Sequence, residues 1–556
     1  MIRFTRPGAL SFLAAALSVS IQAASMQAQA ASLQRVATLP GARTESACRA
    51  VKVGALNGKL YFALHQESSV ALDPATGPRP RGGNAYHSML FATDGTSATA
   101  VASVGAPTSQ YDDLVSRGIA LSAGVVLHTQ VHASLPTTGP SPLWFSDGTG
   151  AGTSATTYSA DSPVVSINGM HLFAVGGKGL YSTDGSKIGT ALLWSSTATS
   201  PRLLYADASV ALFLFYDSGY RVVRTDGTLV GTKFISSSLG LTSPQNPFRI
   251  GNQLYFETIG SSDLSVVDLT TGQWTPSIAA VSMPSTDLAD VVTSFGGKGL
   301  LATPSAAYST LDLWVTDGAT ALGSEFLGLT WADQRSSAGY IPTAELSGRL
   351  YIAGLANGQS GLYQSDLTKA GTASIKTFAA SKPIITSLVS HGSRLLLTLD
   401  DGTNGEELWE SDGTTAGTSL VGDVVSGKGS SSPRDVGAFG DDRFYVALDG
   451  TTDCALYKVV GILPAVDAGV PADTGVPPID GAAFEAGARG PAVSGDSTMN
   501  ADATLPSNLE PTSDCGCSAV GRDNCASSSA ALASVLFALA VGARQRRREL
   551  HSNMNG

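Results

Sequence analysis

Between residues 33 and 459 the chain is a succession of short alternating apolar and polar stretches, each opened by a pair of small turn-forming residues. Asn57-Gly58-Lys59-Leu60-Tyr61-Phe62, Gly251-Asn252-Gln253-Leu254-Tyr255-Phe256, Ser347-Gly348-Arg349-Leu350-Tyr351-Ile352 and Asp441-Asp442-Arg443-Phe444-Tyr445-Val446 all follow this form. A turn pair ahead of period-two apolar residues signals a β-hairpin. A second phrase follows: an apolar or aromatic pair, one or two residues, Asp-Gly-Thr, two residues, Gly-Thr. The fullest copy is Leu408-Trp409-Glu410-Ser411-Asp412-Gly413-Thr414 with Gly417-Thr418. Others carry Asp147-Gly148-Thr149, Asp184-Gly185-Ser186 and Asp226-Gly227-Thr228, and weaker ones centre on Asp94, Asp317 and Asp366. A degenerate copy, Leu264 to Thr271, fills the gap between Asp226 and Asp317.

The marker aspartates recur every 37–53 residues, the length of one propeller blade. Each unit reads as four antiparallel strands. The first leads into the Asn-Gly-type turn, the second carries Leu-Tyr-Phe and the third Leu-Trp. Asp-Gly-Thr turns the chain into the fourth. Sheets of this kind pack radially and so protect their edges. The expected fold is all-β, a single β-propeller of seven to nine four-stranded blades spanning 33–459, with an open solenoid as the alternative. Closure is argued from the ends. The last unit, Arg434 to Val459, lacks a fourth strand, and Leu33–Leu39 is a strand without a unit. Pairing them completes the last blade. Cys48 then lies near Cys454, and a disulfide between them would lock the ring, worth roughly 5 kcal/mol in chain entropy for so long a loop.

Composition agrees with a strand-and-turn chain: charged residues make up 14% and glycines number 62. The net charge of −11 argues against nucleic-acid binding, which calls for a basic stripe. Arg3 and Arg6 precede an apolar stretch from Ala9 to about Ile21, and Ala28-Gln29-Ala30 supplies a small-residue cleavage site. Residues 1–30 thus read as a secretory signal peptide. Residues 461–514 are rich in Pro, Ala, Gly and Asp without a period, the composition of a disordered stalk. At the far end Cys515-Gly516-Cys517 precedes an apolar run from Ala526 to Ala543 and then Arg544-Gln545-Arg546-Arg547-Arg548. The run is just long enough for a transmembrane helix, and the arginines would stay cytoplasmic.

Two resemblances follow from these motifs. The Leu408–Thr418 phrase and its weaker copies resemble the ELWxxDGTxxGT repeat family of bacterial secreted and surface proteins. The 515–548 tail resembles the MYXO-CTERM sorting domain of myxobacterial surface proteins. The second resemblance implies processing by a sorting protease, with Cys515 or Cys517 the processed or lipidated residue; a plain membrane anchor is the alternative, and signal peptidase would remove the leader in either case. Both imply an exported protein, and the second implies that it is held at the cell surface or outer membrane through its tail.

Candidate chemistry is sparse. The turn residues Asp147, Gly148, Thr149, Asp184, Gly185, Asp226, Gly227, Asp412, Gly413 and Thr414 are read as structural, since no copy shows the close-set oxygen ligands of a calcium loop. His128 and His132 sit four apart in strand-like sequence, about 13 Å in a strand, too far for one zinc ion. Gly176-Gly177-Lys178-Gly179 and Gly296-Gly297-Lys298-Gly299 read as the hairpin turns of their units rather than phosphate loops. Asp400, Asp401, Glu406 and Glu407 are candidate acid–base carboxylates for glycoside cleavage. Trp144, Tyr181, Trp314, Tyr363 and Trp409 occupy equivalent positions, which suits packing between blades. No cofactor or metal is expected. The favoured reading is a non-catalytic surface protein that binds another protein or a polysaccharide through loops at one propeller face. A carbohydrate-active enzyme and a purely architectural role are the alternatives.

Overall fold

The computed structural model of the chain describes residues 30–39, 48–68, 85–105, 112–132, 142–235, 244–258, 264–278, 290–304, 310–317, 325–332, 341–380, 384–450 and 453–462. The chain divides into two compact units, 1–484 and 485–556, and every described residue lies in the first. The expected signal peptide up to Gln29, the stalk beyond Ile462 and the tail with Cys515 and Cys517 lie outside the described residues.

The described residues contain 36 β-strands and no helix. The strands form nine antiparallel sets of four. In chain order these blades span 50–104, 112–159, 165–195, 199–234, 244–278, 290–332, 343–378, 385–422 and 434–460, the ninth completed by Ser32–Leu39. Blades one and two are bridged by a single residue pair, His87 opposite Asp113, and blades six and seven by Thr330 opposite Leu355. The first strands of successive blades lie against one another at several joints and so face the centre. Blade nine returns to blade one through the same contact, Arg434–Phe439 against Ala50–Leu56. The fold is therefore a closed β-propeller, and the nine blades lie at the upper end of the expected range.

Alternation within the strands explains the cohesion between blades. Successive side chains of a strand point to opposite faces. In Leu143-Trp144, Leu362-Tyr363 and Leu408-Trp409 the Leu joins the core shared with the following blade, and the aromatic joins the core shared with the preceding one. Leu180-Tyr181 divides the same way. Trp144, Tyr181, Tyr363 and Trp409 thus occupy the joints between sheets, as their equivalent positions suggested, while Trp314 packs on Phe326 of its own blade. Outer strands carry a recurrent bulge opposite this dyad, at Leu90/Phe91, Leu180/Tyr181, Leu362/Tyr363 and Leu408/Trp409. Each bulge adds local twist at the sheet edge.

The strand Ser32–Leu39 pairs antiparallel with Cys454–Val460, with Leu39 opposite Cys454 and Ser32 opposite Val460. Leu39 is fully buried with Phe62, Phe91, Phe444 and Leu456, where blades nine and one meet. Arg35 adds an ion pair to Asp449 at 2.5 Å. Cys48 and Cys454 form a buried disulfide with Cα atoms 5.9 Å apart, joining positions 406 residues apart in sequence.

Reduction of this bond, or Cys48→Ala with Cys454→Ala, should lower stability by several kcal/mol and at most about 5 kcal/mol. Guanidinium unfolding with and without reductant measures the difference. An unchanged midpoint would remove the disulfide from the list of closing elements.

Candidate functional site

The Asp-Gly-Thr phrase folds into a self-satisfied loop. At 411–418, Asp412 Oδ1 accepts the Thr414 amide at 2.9 Å and the Thr414 hydroxyl at 2.7 Å. Thr414 Oγ1 in turn accepts the Gly417 amide at 3.0 Å, and Thr418 Oγ1 donates to the Thr414 carbonyl at 2.7 Å. Ser411 Oγ accepts the Gly413 amide and meets the Thr418 hydroxyl at 2.7 Å. The same bonds recur around Asp147, Asp184, Asp226 and Asp366. The hydroxyl bonds from Thr149, Ser186, Thr228 and Thr368, joined by backbone amides, hold these four carboxyls below the usual carboxylate range. Oδ1 of each is committed within the turn. Among the described residues, no group of three or more His, Cys, Asp or Glu side chains could hold a metal ion.

These turns also reach across to the preceding blade. A Cβ on Gly413, where φ is 85°, would overlap the Tyr351 hydroxyl of blade seven, and one on Gly148 would overlap Tyr61 of blade one. A Cβ on Gly227 would press on Met170, and one on Gly185 on the Gly124 backbone. Burial first, and then the charge of the facing turn aspartate, raise the phenols of Tyr61 (Asp147), Tyr255 (Asp317) and Tyr351 (Asp412). The Leu-Tyr-Phe and Asp-Gly-Thr landmarks are thus the two halves of one inter-blade contact. Blade seven has Leu367 in place of the glycine, at φ 57°. Its side chain is fully buried between blades six and seven, and its carbonyl accepts Lys298 Nζ at 3.0 Å. That burial offsets the left-handed strain.

Antiparallel order sends the first-to-second and third-to-fourth connections to one end of the ring, and all others to the opposite end. At the first end lengths are nearly constant. The first-to-second turn has two residues in eight of nine blades, and the third-to-fourth loop has seven in five of its eight instances. Asn57-Gly58, with φ of 51° and 71°, shows why: both central residues take the positive φ of a type I′ hairpin. At the opposite end the second-to-third connections run from two residues (357–358) to 16 (69–84), and the fourth-to-first from three to 11. Lys178, Asp217, Ser218, Thr403 and Lys428 are exposed at this variable end. The constant end has its own exposed side chains, with Ile188 99% and Val230 92% accessible at loop tips.

The four candidate carboxylates are all engaged. Glu406 and Glu407 are neighbours on one strand and point to opposite faces, so they do not form a pair. Asp400 Oδ1 accepts the Gly402 amide, and Asp401 Oδ1 accepts those of Thr403 and Asn404. Glu406 accepts the Thr386 hydroxyl at 2.7 Å. Glu407 is fully buried and accepts the amides of Val424, Val425 and Ser431 and the Ser431 hydroxyl, the last at 2.5 Å. It thereby organises the whole 423–433 connection at the variable end. Burial raises its carboxyl above the usual range in spite of these bonds.

Other singled-out residues serve the frame. His128 Nε2 donates to the Ala160 carbonyl at 3.0 Å, between blades two and three, and both His128 and His132 lie in a strand. The two Gly-Gly-Lys-Gly segments differ from expectation. Gly296-Gly297 is a first-to-second turn, whereas Gly176–Lys178 is a second-to-third connection, so they lie at opposite ends of their blades. Buried ion pairs were not foreseen. Arg443 grips Asp435 with two bonds of 2.8 and 2.7 Å, and Arg249 of blade five pairs with Asp207 of blade four. Burial and the neighbouring Asp207 charge outweigh Arg249 to push the Tyr205 phenol up to about 12. Nothing in the local sequence marks such pairs.

Two outcomes follow from this geometry. Gly413→Ala should destabilise the protein by about 2–3 kcal/mol, from positive-φ strain plus overlap. Tyr351→Phe in the same chain should restore about half, since it removes the nearest atom; a double-mutant cycle by chemical denaturation reads the coupling. Glu407→Gln, which cannot accept on both terminal atoms, should speed amide exchange at Val424, Val425 and Ser431 about tenfold. Exchange at wild-type rates would show that another group holds this connection.

No family model matches the chain, and no curated protein matches it. Among solved structures it is similar to BamB from Moraxella catarrhalis (13% identity, TM-score 0.33, covering 66% of this chain and 95% of that one). It is also similar to the computationally designed Ika8 protein (12%, 0.34, 66% and 98%). A third is a puromycin-hydrolysing peptidase of Mycobacterium tuberculosis (12%, 0.35, 75% and 60%). At such identities and scores, no activity carries over from any of them.

Proposed function

We propose that this chain is a non-catalytic cell-surface protein that binds another surface protein or a polysaccharide through the variable end of the propeller. The observation that carries the reading is the difference between the two ends. A frame repeated nine times needs the same turn nine times, and one end has nearly that. The other varies from two to 16 residues on the same frame, which is how rigid scaffolds present binding loops. The candidate carboxylates at that end are committed to shaping connections, which disfavours them as an acid–base pair.

The location belongs to the same proposal. The leader-like residues 1–30 and a buried disulfide suit an oxidising compartment outside the cytoplasm. Residues 461–514 would space the ring from the membrane, and 515–548 would hold it there, through the apolar run or a lipid on Cys515 or Cys517. Signal peptidase and a sorting protease are then the processing partners.

The test is a binding screen of the purified exported chain against glycan arrays and whole cells. Saturable binding should appear. It should weaken at least about tenfold in a chain carrying Lys178→Ala, Thr403→Ala and Lys428→Ala, and persist in one carrying Ile188→Ser and Val230→Ser. Turnover of a glycan without saturable binding would reverse the reading in favour of the enzyme.

A further inference from the structure

Ala31, immediately before the closing strand, enters the core. Its side chain is 6% exposed and packs with Leu396, Leu408, Tyr445 and Val459 where blades eight and nine meet. Ala30 is exposed, and its carbonyl passes over Gly461. The boundary between outside and inside thus falls on the Ala30–Ala31 peptide bond. The Ala31 nitrogen is 3.0 Å from Oε1 of Glu410, a carboxylate only 3% exposed on the third strand of blade eight. Glu410 Oε2 is buried with no hydrogen-bond partner. The nearest cation is Arg394, whose Nε stands 3.7 Å from Oε2 while its Nη1 turns to Asp412 at 3.4 Å. One guanidinium therefore faces two carboxylates, and one oxygen of the buried carboxylate lacks a donor.

We infer that Glu410 is a docking site for a free α-amino group at Ala31, created when the leader is cut after Ala30, and that this ion pair seals the joint between blades eight and nine. The inference rests on the export reading of residues 1–30 and adds a structural consequence to it. Hydrolysis of the Ala30–Ala31 bond gives the water hydroxyl to the Ala30 acyl carbon and one proton to the Ala31 nitrogen. At neutral pH the amine takes up a further proton and becomes an ammonium. A single neutral N–H donor is replaced by three charged donors at the same place. One keeps the bond to Oε1, another comes within reach of Oε2, and the excess negative charge of the cluster is cancelled. Charge-assisted bonds to a buried carboxylate are among the stronger contacts a fold can gain. The two ends of the closing segment would then be fastened separately, by the ammonium to blade eight at Ala31 and by the disulfide to blade nine at Cys48.

N-terminal sequencing and intact mass of the exported full chain should give Ala31 as the first residue. For the docking itself, a site-specific protease sequence placed directly before Ala31 allows melting of the same protein before and after cleavage. Cleavage should raise the melting temperature by about 3 °C in the wild type and by under about 1 °C in Glu410→Gln. The freed α-amine should also resist an amine-reactive ester in the wild type and react at least about tenfold faster in Glu410→Gln, a readout that general destabilisation by Glu410→Gln before cleavage does not supply. A chain that keeps its first 30 residues would overturn the export reading and the processing step. Melting unchanged by cleavage, or an α-amine as reactive as that of a free peptide, would overturn the docking even in a chain correctly cut.

Discussion

A ring of separate sheets has no hydrogen-bonded ladder running around it; its circumference is held by side-chain contacts between blades. Every joint must therefore hold, and the joint where the chain begins and ends is the one that covalent continuity cannot guard. Here that joint is fastened in three ways: by strand pairing, by a packed core and by a disulfide. The strand Ser32–Leu39 hydrogen-bonds to Cys454–Val460, so blade nine is stitched from both ends of the ring. Leu39, Phe62, Phe91 and Phe444 fill the space against blade one, with Phe62 and Phe91 stacked at 5.6 Å. The Cys48–Cys454 bond makes separation of the two ends impossible without reduction.

At the other joints the repeat itself does the fastening. The Asp-Gly-Thr loop satisfies much of its polar inventory internally, through the aspartate and the two hydroxyls, which makes it a rigid knob. Its glycine lets the knob sit flush on the second strand of the blade before. A tyrosine at that place, as at Tyr61 and Tyr351, adds ring area under the loop. Polar bridges reinforce the same joints: His128 to the Ala160 carbonyl, His391 to the Asp441 carbonyl and Arg249 to Asp207. A partly buried ion pair such as Arg249–Asp207 is worth little net stability once its desolvation is counted.

Much of the frame was legible in the chain because it depends on local chemistry. Asn57-Gly58 demands a type I′ turn whatever surrounds it, and Leu-Trp alternation demands a strand buried on two faces. Closure was legible too, since an unmatched strand at 33–39 and an incomplete unit at 434–459 leave one economical solution. Blade number was less so. In blade five Asp268 anchors its turn by accepting the Thr270 and Thr271 amides, though the Asp-Gly-Thr phrase is gone. What stayed hidden depends on neighbours in space. The Tyr351–Gly413 contact, the burial of Leu367 and the four bonds on Glu407 each join segments that only the ring brings together. A carboxylate that shapes a loop and one that cleaves a glycan look alike in sequence; the geometry of their donors separates them.

The position of the closing strand constrains how the molecule can form. Residues 32–39 are made before all the other described strands and find their partner only when 454–460 exist. Joining contacts so distant in sequence carries a large loop-closure cost and slows folding. Until then, the edges of Cys454–Val460 and of Ser32–Leu39 both present unpaired backbone, the kind of template that recruits other chains. The burial of Ala31 sharpens this. Ala31 sits in the core beside Glu410, whereas Ala30 is exposed, so the chain passes from solvent into the seam within one residue. Gly461 lies against that boundary, since any side chain there would crowd the Ala30 carbonyl and must also adopt a φ of 89°. Ala30 and Gly461 thus lie side by side at the joint, where the two ends of the described ring meet.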